Sequence, residues 1–112
     1  MPEMKYVIYQ VEPDTCEYCF DWWDWAKDKF NFKDYKKVYE GTIDAPELGP
    51  VAEQAALDKL FVRFNVAHPE DFRGHSLSVS DVVEINGRYW YCDSHGWVDV
   101  REYVVKSIYD ED

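Results

Sequence analysis

No run of apolar residues in these 112 approaches the roughly 18 that a membrane-spanning helix needs. The opening stretch, Met1-Pro2-Glu3-Met4-Lys5, lacks the basic and apolar regions of a secretory signal, so the expectation is a cytoplasmic protein without membrane contact. Basic charge is scarce: 12 Lys and Arg stand against 23 Asp and Glu, for a formal net charge of −11. Phosphate contacts to nucleic acid need clustered Lys or Arg, so direct nucleic-acid binding is excluded, while solubility and basic partners are favoured. Three cysteines, an odd number, make no disulfide framework and suit free thiols in a reducing compartment. Also absent are a glycine-rich phosphate loop, an EF-hand loop and a Gly-x-Ser-x-Gly elbow, and nothing calls for a cofactor.

What is abundant is aromatic: 18% of the chain is Phe, Tyr or Trp. Each buried ring removes roughly 150–250 Å² from water, so one domain over residues 1–112 can build a core without staples. Lys5–Val11 is β-branched and aromatic on both faces and reads as a central strand buried on both sides. After the break at Glu12-Pro13, Asp14 or Thr15 offers an N-cap, and Cys16 to Phe30 fits a helix. Cys16, Cys19, Phe20, Trp23, Ala26 and Phe30 would share its core face, with Tyr18, Trp22 and Trp25 as a second aromatic stripe beside acidic residues that include Asp21, Asp24 and Asp28. Tyr35–Ile43 reads as a strand. Val51–Asn65 is the clearest helix, with Leu57, Leu60, Phe61 and Phe64 in register and Pro50 suited to its first position.

The C-terminal third has the strongest local signal. Asn86-Gly87 separates two β-rich runs, Asp81–Ile85 and Arg88–Cys92, and both central residues of a type I′ turn need φ > 0. Asp93-Ser94-His95-Gly96 is turn chemistry before a third strand, Trp97–Val100. Tyr103–Ile108 is open between strand and helix, Val104-Val105 leaning to strand while alternation is poor, and Tyr109–Asp112 reads as a frayed acidic end. The sum is an α+β domain: a mainly antiparallel sheet of about five strands, two helices and a C-terminal β-meander.

The run Phe64-Asn65-Val66-Ala67-His68-Pro69-Glu70-Asp71-Phe72-Arg73-Gly74-His75-Ser76-Leu77-Ser78-Val79-Ser80-Asp81-Val82-Val83 resembles the YodL-like domain. So do Tyr39-Glu40-Gly41 upstream and Tyr91-Cys92-Asp93-Ser94-His95-Gly96-Trp97 downstream, although the family usually has an aromatic where His95 stands. The likeness spans residues 35–100 by pattern, and residues 1–34 are the least family-like. It implies a small accessory module of the kind found in conjugative and other mobile elements of Gram-positive bacteria. It also implies a link to cell shape through the actin-like MreB cytoskeleton, and no catalytic residues.

Each cluster of reactive residue types has a structural reading beside the chemical one. Cys16-x-x-Cys19 with Cys92-x-x-His95 has the internal spacing of a Cys₃His zinc site, whereas cysteines on an apolar helix face behave as small hydrophobes. His75, Ser76, Ser78, Ser80 and Asp81 contain the residue types of a hydrolytic triad, but neighbours on an extended segment point to alternate faces. Together with Gly74, Asn86, Gly87, Asp93 and Gly96 they read as a motif that maintains the fold, Ser and Asp bonding backbone at the start of the hairpin. The aromatic stripe Tyr18, Trp22 and Trp25, with Asp21, Asp24 and Asp28, suits a protein partner with apolar or Arg-rich grooves, or a homodimer contact. The expected function is therefore a non-enzymatic interaction module binding a host protein. Three alternatives stand beside it: an acidic nucleic-acid mimic that inhibits a restriction or CRISPR-type defence enzyme, a regulator of MreB, or a small metalloprotein using Cys16, Cys19, Cys92 and His95.

Overall fold

The computed structural model describes residues 3–11, 21–44, 49–67, 69–72, 74, 77–93 and 96–109. In chain order the elements are β1 (Glu3–Val11), α1 (Trp23–Ala26), a 3₁₀ turn (Phe32–Asp34), β2 (Tyr35–Asp44), α2 (Pro50–Val66), β3 (Val82–Ile85), β4 (Arg88–Asp93), β5 (Gly96–Asp99) and α3 (Arg101–Tyr109). The five strands form one antiparallel sheet in the order β2-β1-β3-β4-β5, the last three a meander. An α+β domain of this layout is what the sequence reading expects, with a third helix added.

The two faces of the sheet bury different cores. Met4, Tyr6 and Ile8 of β1 join Val83 and Ile85 of β3 and Trp90 of β4 beneath α2, which contributes Ala56, Leu57, Leu60 and Phe64. On the opposite face Val11, Val82 and Tyr91 meet Trp23 and Ala26 of α1 and Val100 and Val104 at α3. Successive strand residues point to opposite faces, so Val82 opposite Tyr91 serves one core and Val83 opposite Trp90 the other. Asn86 (φ 52°) and Gly87 (φ 84°) make the tight turn that fixes this register. Between β1 and β2 the register slips at Ile8/Tyr9, where Ile8 faces Tyr39 but Tyr9 faces Lys37, a bulge that bends the edge strand.

Two expectations need correction, and one open segment is resolved. β1 lies inside the sheet but is not buried on both sides: Met4, Tyr6 and Ile8 are buried, Lys5 is exposed, and Val7 and Tyr9 are half-covered. Within the described residues the first helix does not run to Phe30; it covers only Trp23–Ala26, with Trp22 already extended at ψ 154°. Trp and Asp are weak helix formers, and a helix this short has little stability of its own. Tyr103–Ile108, which the sequence leaves open between strand and helix, is helical. The pair Val100 and Val104, at i and i+4, packs on the sheet, and Asp99 Oδ1 accepts the Arg101 N–H at 3.0 Å to start the turn. Helical spacing thus overrides the β-propensity of Val104-Val105.

Candidate interaction site

Trp23 organises the α1 segment. Its ring lies within 4.8 Å of both Tyr91 and Tyr103 and 5.3 Å of Phe30, centroid to centroid. Its backbone N–H donates to Asp93 Oδ1 at 3.2 Å, and the Tyr91 hydroxyl donates to the Asp21 carbonyl at 2.8 Å. The turn is closed by the Ala26 N–H to Trp22 carbonyl and Lys27 N–H to Trp23 carbonyl bonds, at 2.9 and 2.8 Å. A four-residue helix has little stability of its own, so this tie to β4 holds it in place.

Pinning Trp23 leaves its neighbours outside. Trp22 is 54% exposed and Trp25 71%. They flank the pinned residue, one in extended backbone before the helix and one within it, and so do not share a single α-helical stripe. Asp24 and Asp28 are exposed beside them, and Asp21 is half-covered. Tyr18, with Cys16 and Cys19, lies outside the described residues. Cys92 is buried, and burial, with Asp81 and Asp93 nearby, pushes its thiol up to about 12. Among the described residues no group of three His, Cys, Asp or Glu could hold a metal ion; His95 lies outside them.

The family-like segment forms a polar knot under the meander. Asp81 is fully buried, and its Oδ2 accepts the Ser78 backbone N–H at 2.9 Å and the Gln10 side-chain amide at 3.0 Å. The Ser80 N–H donates to the Cys92 carbonyl at 2.9 Å, and the Cys92 N–H to the Asp81 carbonyl at 2.8 Å. Ser80 is buried with φ 85°, a left-handed backbone that the Tyr35 hydroxyl steadies by donating to its carbonyl. Gly74 packs so closely that a Cβ there would collide with Gln10 Oε1 and stand 2.9 Å from the Phe72 ring. Burial outweighs the two donors and pushes the Asp81 carboxyl up to about 8. Among the described residues no nucleophile and base line up: Ser80 and Asp81 are buried and tied to neighbouring strands, while His75 and Ser76 lie outside the described residues.

One residue that sequence reasoning missed is Glu53. It reads as a favourable acid in the first turn of α2, yet it is 1% exposed. Its Oε2 accepts from Arg88 Nη1 at 2.6 Å and its Oε1 from the Trp90 indole N–H at 3.1 Å. This pair clamps α2 to the hairpin, and its only sequence signal is an acid set among Ala52, Ala56 and Leu57.

The family model of the YodL-like domain matches residues 5–103. The match runs from β1 into α3 and takes in the α1 segment, so it reaches further toward the N-terminus than the motif likeness at 35–100. No curated protein and no solved structure matches the chain. No helix among the described residues is long and apolar enough to cross a membrane.

Proposed function

From the premise that this chain belongs to the YodL-like domain family, we propose that it is a non-enzymatic interaction module whose α1 segment docks a host protein. The observation that carries the reading is the exposure of Trp22 and Trp25 on either side of the buried Trp23. Exposed tryptophans cost solubility unless they meet a partner, and Trp is among the residues most enriched at binding hot spots. Because Trp23 is held on β4, the two rings are presented on a backbone already ordered, which lowers the entropy lost on association. Asp21, Asp24 and Asp28 supply rim charge for a partner rich in Arg or Lys, raising the encounter rate and the salt sensitivity.

The test compares the native chain with a Trp22→Ala/Trp25→Ala variant, both tagged, as bait in a host lysate at low and moderate salt. One partner held by the native chain and lost by the variant is expected, with unchanged thermal unfolding of the variant. Truncating a hot-spot Trp costs about 2 kcal/mol or more, over tenfold in affinity. Capture of the same proteins by both baits would refute the reading.

A further inference from the structure

We propose that the cleft between the end of α1 and helix α3 binds a small phosphate-bearing ligand. The cleft has a volume of about 490 Å³, within the roughly 300–1,000 Å³ of small-molecule sites. Lys27, Lys33 and Lys106 line it, with Asn31 and Ser107 as further polar groups and Asp28 as the one lining acid. Three of the eight lysines of an acidic chain thus converge on one concavity. The negative end of α3 is reason enough for Lys106 alone. It does not bring in Lys27, at the end of α1, or Lys33, in the 3₁₀ turn.

The lysines stand on ordered backbone. The Lys27 N–H closes α1 on the Trp23 carbonyl, and the Lys33 N–H is held by Asn31 Oδ1. Among the described residues neither Lys27 nor Lys106 is ion-paired. Tyr103 and Phe30, which also line the cleft, both pack edge-on against Trp23, so the floor belongs to the cluster that pins α1. Ammonium groups bind phosphate as point charges, and several of them match an anion with several oxygens better than a single carboxylate. Tyr103, 38% exposed, is a lining ring against which the organic part of such a ligand would pack.

The test is a titration of the isotope-labelled full chain with AMP and, separately, with inorganic phosphate at low salt, followed by amide chemical shifts. Saturable shifts at Lys27, Asn31, Lys33 and Ser107 are expected. Lys106→Glu and Lys27→Glu should each weaken binding by about tenfold or more, while Lys36→Glu, an equal charge change on β2 outside the cleft, should leave it unchanged. All three side chains are exposed, and retained peak dispersion confirms folding. Tighter binding of AMP than of phosphate supports the ring contact, and equal binding supports a phosphate site alone. Absence of saturable shifts at millimolar ligand, or equal weakening by Lys36→Glu, would overturn the proposal.

Discussion

Replacing Asp81 with Asn is expected to stabilise the protein near neutral pH, by an amount that grows as the pH rises. The carboxyl is fully buried, and its Oδ2 accepts the Ser78 backbone N–H and the Gln10 side-chain amide. Desolvation dominates and raises its pKa from 3.8 to about 8. Below 3.8 both the folded and the unfolded chain hold the proton, and Asp81 contributes no pH dependence. Between the two values the folded state keeps a proton that the unfolded state has released. Stability therefore falls with rising pH, at about 1.4 kcal/mol per pH unit for this one group. Across the two units from pH 5 to pH 7 the loss is about 3 kcal/mol, a large share of the roughly 5–15 kcal/mol that holds a domain folded. Asn is close in shape to the neutral acid and its oxygen can accept the same two N–H groups, but it does not titrate. Urea unfolding of both proteins at pH 5, 6 and 7 isolates the effect, because the other carboxylates cancel in the difference. The variant's advantage is expected to be about 3 kcal/mol larger at pH 7 than at pH 5. A difference that stays constant across this range would refute the argument that Asp81 is folded in its neutral form.

The Glu53 clamp makes a second prediction: Arg88→Ala leaves a buried carboxylate without its cation and should cost about 3–5 kcal/mol in urea unfolding. Glu53→Leu/Arg88→Ala should cost clearly less than the sum of the single changes, and strict additivity would mean the pair is not coupled. Cys92, with its thiol raised from 9.0 to about 12, should carry about a thousandfold less thiolate than an ordinary cysteine at neutral pH. In a Cys16→Ser/Cys19→Ser background, maleimide labelling should be slow in the native state and fast in urea; fast native labelling would place Cys92 at the surface.

What was legible in the sequence depended on how local its cause is. The Asn86-Gly87 turn is set by two residues that tolerate positive φ, so the hairpin boundaries follow within one residue. The α2 pattern is strong because Leu57, Leu60 and Phe64 all reach one core over 17 residues. Prediction failed where distant partners decide. The single turn of α1 is held in place by Tyr91 and Asp93, which lie 70 residues from the backbone groups they bond, and no 3.6-residue count can contain them. Glu53 meets Arg88 and Trp90 across 35 and 37 residues, and a first-turn acid ordinarily faces water. Asp81 is similar: its place in a turn is readable, but Gln10, which comes 71 residues earlier, is not.

Net charge is the reading that most needs the fold to qualify it. A value of −11 describes the field felt by a partner at long range, where it favours basic surfaces and disfavours anions. At physiological salt that field fades beyond about 8 Å, and contact is governed by the charges within that radius. There the surface is divided. Trp22 and Trp25 sit beside Asp21 and Asp24, while Lys27, Lys33 and Lys106 line one cleft in which Asp28 is the lining acid. The two readings therefore carry different salt signatures. A basic protein at the tryptophans is drawn by both the far and the near field, so added salt weakens it steeply. A phosphate ligand in the lysine cleft is attracted locally and repelled globally, and salt screens both. Its affinity should fall more gently than three lysines alone would dictate, and comparing the two salt slopes on one preparation separates the sites.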